Sequence, residues 1–145
     1  MVWPVLLVAY ALIATWTMIQ FRVRAAGPVY VTQWFAIASM IWFPWILGTA
    51  VLLIFCIGGN ALMAAAVAAW FHSGMIYLFF LPCAAAAAYY LAPKVTGHPV
   101  HSYSLSLIGF WSLAILGPWA GMQKLAGVPI PYFLPYLGAA ATVLL

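Results

Sequence analysis

The 145-residue sequence contains no aspartate and no glutamate, and only four lysines and arginines. A water-soluble domain draws about a quarter of its residues from these four types; here they make up 3%, while 70% of residues are apolar. No soluble fold hides that much apolar surface at this length. The missing acids also remove chemistry: no carboxylate general acid or base, no acidic metal cage and no Ser-His-Asp triad. Cations are nearly as sparse. Arg22, Arg24, Lys94 and Lys124 are scattered and form no basic patch, which excludes nucleic acid as a partner. The two cysteines, Cys56 and Cys83, sit inside apolar runs with no CxxC or Cys/His cluster, so they read as small buried hydrophobes rather than a zinc site or disulfide. Met1–Gln20 lacks a basic n-region and a small-residue cleavage site, so it reads as a first membrane helix rather than a removable signal.

What the chain does have is apolar runs. A membrane helix needs about 20 predominantly apolar residues to cross about 30 Å of hydrocarbon. The expected fold is an all-α integral membrane domain over residues 1–145, a polytopic transmembrane bundle. Full spans are expected at about 2–21, 31–57, 61–91 and 103–125, with a partial fifth at 133–145. A Gly27-Pro28 turn follows the first span, and Gly58-Gly59-Asn60 ends the second. Pro82 predicts a kink in the third. The last run has only about 13 residues, or roughly 20 Å of helix, and cannot cross. A chain ending there leaves a carboxylate at membrane depth, so either the sequence continues or this end is buried in an assembly.

Arg22, Arg24 and Lys94 lie in the first and third connections, on one side of the membrane, and Lys124 on the other. The positive-inside rule then places the N-terminus outside and the 22–30 and 92–102 connections in the cytoplasm. Trp3, Tyr30, Trp34, Tyr89, Tyr90, Tyr103 and Trp119 fall near run ends, as an interfacial aromatic belt does. The small residues Ala61, Ala64–Ala66, Ala68 and Ala69 suit close helix packing.

A titratable residue inside lipid is a functional-site hypothesis by default, and His72 is the candidate. The bland alternative is a neutral histidine bonded to a neighbouring helix. His98 and His101 lack a third ligand nearby and read as solvated loop residues. His72 and His101 differ in depth by roughly 30 Å, so they cannot share one haem iron. Lys124 at a helix end suits snorkelling to the interface. Ser102, Tyr103, Ser104 and Ser106 fit either a hydroxyl proton path or helix capping.

Three segments carry a family resemblance: YVTQWFAIASMIWFPW (Tyr30–Trp45), AAAYYLAPKVTGHPVHSYSLSLIGFWSLA (Ala86–Ala114) and PWAGMQKLAGVPIP (Pro118–Pro131). On these, roughly two-thirds of the chain resembles the middle spans of subunit I of bacterial haem–copper oxidases, near the cbb3 branch of cytochrome c oxidase. The resemblance implies a respiratory electron-transport protein of the bacterial inner membrane. It also implies where metal sits: a copper held by three histidines, with a catalytic tyrosine beside it. Carried over position by position, the first copper histidine falls on Ser73, the adjacent histidine pair on Gln123 and Lys124, and the tyrosine on Gly117. All four are replaced. His72 is one place off, and one helical step turns a side chain by about 100°. An amide is a weak copper ligand and an ammonium none until deprotonated; a Lys124 amine near the old copper position would instead place a positive charge there. The haem-ligating histidines of the family belong to spans outside this chain.

The reading is therefore a degenerate, non-catalytic oxidase-subunit-I-like scaffold in a respiratory electron-transfer complex, with no catalytic, cofactor-binding or metal site of its own. Haem and copper enter only with partner chains. The expected partners are other membrane subunits, lipid and quinone. The rival is a split component of a working haem–copper oxidase, reducing oxygen or nitric oxide once other chains complete it. An unrelated small-molecule transporter is a third class, and it lacks paired broken helices or an intramembrane charge to support it.

Overall fold

A computed structural model describes residues 2–24, 27, 29–56, 58–128 and 130–145. Among them there is no strand. The elements are α1 (Val2–Val23), α2 (Val31–Cys56), α3 (Ala61–Gly74), a π-helical segment (Met75–Phe80), α4 (Leu81–Thr96), α5 (Tyr103–Leu116), a 3-10 turn (Met122–Leu125) and α6 (Phe133–Leu144). Among the described residues, two continuous helices are long and apolar enough to cross a membrane, Val31–Cys56 and Ala61–Thr96.

Helix α2 stays continuous through the internal Pro44. Its hydroxyls bond back to its own backbone, Ser39 Oγ to Ala36 O and Thr49 Oγ1 to Trp45 O, which satisfies polar groups where water is absent. Gly58 and Gly59, both at positive φ, turn the chain. Asn60 then caps α3, its side-chain oxygen accepting from the amides of Leu62 and Met63 at 3.1 and 3.3 Å.

The expected kink at Pro82 takes a specific form. Proline has no N–H and its ring crowds the carbonyl four residues back. The six residues before α4 adopt π geometry, and the Leu81 amide reaches back to Ile76 O. One extra residue per turn absorbs the missing bond without breaking the rod. The helix also continues past the expected end at Leu91. It carries Pro93 in its last turn and stops where Gly97, at φ 70°, donates to Pro93 O. The Gly27-Pro28 turn falls partly outside the described residues, and the Trp3 side chain lies outside them.

Over the fourth expected span, 103–125, the helix is not continuous. Helix α5 ends at Leu116 after 14 residues, roughly 21 Å, short of the length that alone crosses the hydrocarbon. Pro118 cannot donate the next helical bond, and Gly121, at φ 90°, reverses the chain into the 3-10 turn. Hydropathy over 103–125 is uniform, so it conceals this break.

The core lies where α2, α4 and α5 meet: Val31, Phe35, Ala86 and Leu113 are buried, with Trp42, Tyr89 and Phe110 packed against them. Phe110 is the hub, with ring centroids 5.3 Å from Phe35, 5.6 Å from Trp42 and 5.9 Å from Trp34. Close α2–α4 approach runs through fully buried Ser39, whose hydroxyl accepts from Cys83 Sγ at 3.3 Å. The alanine-rich surface of α3 is not used this way. Val67 is buried, but Ala61, Ala65 and Ala68 are exposed. Cys56, expected inside, is also exposed.

The ends sort as the charges suggest. Tyr103 Oη donates to Val29 O at 3.1 Å, tying the first and third connections together at one end. Leu53, Met63, Met122 and Leu134 meet around one cleft at the other.

Candidate functional site

Of the positions that the resemblance assigns to metal chemistry, Ser73 packs on the turn after α5 at Gly121, Gly117 packs on Leu78 of the π segment, and Gln123 lies against Thr142 of α6. Ser73 is 2% exposed, near the end of α3 where that helix crosses α2. Its neighbour Gly74 faces Ile46 of α2, where an added Cβ would lie 3.6 Å from Ile46 Cγ2. On the other side is Gly121. A Cβ there would overlap Ser73 Oγ and lie 2.5 Å from Ser73 Cβ, so only glycine allows this contact. Gly121 also needs its positive φ to turn the chain. Gly117 has a similar constraint, since a Cβ would come 2.9 Å from Leu78 Cδ2 of the π segment and against its own helix at Leu113 O.

Polar groups here are mostly spent on holding the turn. Trp70 Nε1 donates to Pro118 O at 3.0 Å, pinning the turn to α3. The Gly121 amide donates to Thr142 Oγ1 of α6 at 3.1 Å. That hydroxyl donates its one proton to Gly138 O at 2.7 Å, with Gln123 Oε1 beside it at 3.2 Å as the alternative acceptor. Gly138 lets α6 ride onto the 3-10 turn, because an added Cβ would lie 2.6 Å from the Gln123 amide nitrogen and from Met122 Cβ. Ser73 Oγ is the exception: it is buried with no hydrogen-bond partner among the described residues.

Lys124 does not join this group. Its side chain is exposed on the 3-10 turn, an arrangement that suits snorkelling. His72 points away too. It is exposed and makes no hydrogen bond among the described residues, so the neighbouring-helix bond expected for it is not formed. His98 and His101 lie in the exposed connection after Gly97, with His98 Nδ1 2.8 Å from Thr96 O. Among the described residues no three His, Cys, Asp or Glu side chains come together as metal ligands. Ser102 accepts from the Leu105 amide at 3.3 Å and so caps α5, while Ser106 Oγ donates back to Ser102 O at 3.2 Å within the first turn.

Sequence reasoning missed Gly121, Gly138, Thr142 and Trp70. The signal for the first was its place three residues after Pro118. Thr142 lies about 20 residues downstream, and nothing local marks it.

No family model matches the chain, and no solved structure matches it. Curated relatives do. A cytochrome c oxidase subunit 1 of Rhodobacter capsulatus is 33% identical over 76 residues, 52% of this chain and 14% of that protein. A cytochrome c oxidase subunit 1 homolog of Agrobacterium tumefaciens (strain T37) is 34% identical over 82 residues, 56% of this chain and 15% of that one. The cbb3-type cytochrome c oxidase subunit CcoN1 of Stutzerimonas stutzeri is 30% identical over 76 residues, 52% and 16%. The matched segment thus spans only about a seventh of the length of these relatives. Over just over half of its own length, the chain is similar to part of bacterial cytochrome c oxidase subunit I.

Proposed function

We propose that this chain is an oxidase-subunit-I-like membrane subunit with no redox site of its own, acting as a scaffold in a respiratory electron-transfer complex. The observation that carries this reading is the contact between Ser73 and Gly121. Gly121 backbone lies directly against Ser73, and Gln123 Oε1 lies beside the Thr142 hydroxyl. The donors left are a serine hydroxyl and an amide, and neither is a strong copper ligand. These residues do not fit copper, and no redox step is derived through it. Haem and copper belong to partner chains under this reading.

The chain would sit in the bacterial inner membrane with its N-terminus outside, since Arg22, Arg24 and Lys94 share one end and Lys124 lies at the other. Its exposed apolar faces, such as Trp45, Phe55 and Leu52 on α2, suit lipid and other membrane subunits. The complex isolated from its native membrane tests this. Scaffold function predicts unchanged turnover in a His72→Ala variant and a complex that falls apart when the chain is deleted. Loss of turnover in His72→Ala with the complex intact would favour a split catalytic component instead.

A further inference from the structure

A second feature lies far from the Ser73 region. Between α1, α2 and α5 runs an apolar groove of about 480 Å³, with Phe21, Trp34, Ile41, Trp42, Trp111 and Ala114 among its walls. From Trp34 to Trp42 it extends about 12 Å along α2. That is close to the depth of one leaflet, half of about 30 Å, and well short of what a full partner helix would need.

The mouth of the groove carries positive charge. Phe21 lines the groove, and the Arg24 guanidinium sits 4.8 Å from its ring centroid. Arg24 Nη1 also donates to Gly27 O at 2.8 Å, which holds the side chain at the rim. Val29, another wall residue, is fixed by Tyr103 Oη. Arg22 is exposed on the same helical turn. Since the sequence has no Asp or Glu, no side-chain carboxylate of this chain neutralises either arginine. After its bond to Gly27, the Arg24 guanidinium keeps four N–H donors in a planar fork that matches a phosphate.

We propose that this groove holds one acyl chain of an anionic phospholipid whose phosphate is bound by Arg24. The leaflet-length apolar slot and the unneutralised Arg24 guanidinium at its mouth match the two halves of one amphiphile. The inference rests on the chain residing in a bilayer and is independent of whether the chain is catalytic.

The test uses the full chain in phosphatidylcholine vesicles containing about a tenth of acyl-brominated lipid, either phosphatidylglycerol or phosphatidylcholine. Bromine quenches tryptophan on contact, and Trp111, a half-exposed groove wall, is the reporter; a Trp111→Phe variant supplies the background of the other tryptophans. The expected result is about a fivefold preference for brominated phosphatidylglycerol over phosphatidylcholine in the Trp111 component, the enrichment expected from one basic residue at the headgroup level. The preference is lost in R24Q. In A114L, which fills the groove, Trp111 quenching falls for both lipids. Equal quenching by the two lipids in the wild type, or a preference that survives R24Q, overturns the lipid site and leaves membrane residence intact. Absence of quenching by either lipid at every tryptophan would overturn membrane residence itself.

Discussion

Replacing Gly121 with alanine probes the contact that closes the Ser73 region. The new methyl overlaps Ser73 Oγ and sits 2.5 Å from Ser73 Cβ, on a backbone with φ of 90°. The conformation alone costs about 1–2 kcal/mol for a residue with a Cβ. Relieving the overlap means moving α3 or the turn, an overpacking cost of about 1–3 kcal/mol. Together the loss is about 2–5 kcal/mol, read as a shift in the midpoint of SDS-induced unfolding in mixed micelles. Gly121→Ala combined with Ser73→Gly separates the two contributions, because removing the serine side chain abolishes the overlap and leaves the strain at φ. The double-mutant cycle should show a coupling of about 1–3 kcal/mol. Ser73→Ala by itself should be neutral or stabilising, since it deletes a buried hydroxyl with no partner. If Gly121→Ala stays within about 0.5 kcal/mol of wild type, or its cost is the same with glycine at 73, then the turn does not pack against α3 as described.

Three further variants test neighbouring features by the same unfolding assay. Thr142→Val removes the acceptor of the Gly121 amide and should cost about 1–3 kcal/mol, because that donor is left unpaired in a partly buried place. Phe110→Ala, at the hub of the aromatic cluster, should lose roughly 2–3 kcal/mol, below the loss for a fully buried phenylalanine because Phe110 is half-buried. His72→Ala should fall within about 0.5 kcal/mol of wild type, as expected for an exposed side chain without a hydrogen bond.

Much of the helical outline was legible from hydropathy and punctuation. Gly58-Gly59-Asn60 marks the turn that ends the second helix, and the turn is present, with Asn60 also capping the next helix. Pro82 marks a distortion, though its π-helical form depends on how the preceding turn re-registers. The break after Leu116 was hidden, because Gly117-Pro118 lies within an unbroken apolar run and prolines inside such runs often stay helical, as Pro44 does. The family resemblance singled out Ser73, Gly117 and Gln123 in the sequence. What fills the region was not, since the Gly121 contact and the Thr142 bonds join residues separated by about 20 to 50 positions. On α3, Ala64, Ala66 and Ala69 are partly covered within this chain while Ala61, Ala65 and Ala68 are exposed, because periodicity reveals a smooth face but not what covers it.

Copper stoichiometry of the purified complex tests the central claim most directly. Elemental analysis by mass spectrometry, set against haem content and the amount of this chain, counts copper per copy. With Gly121 packed on Ser73, the proposed scaffold reading predicts no copper that depends on this chain, so His72→Ala and Ser73→Ala leave the metal content unchanged. One copper per copy that disappears in either variant would contradict it.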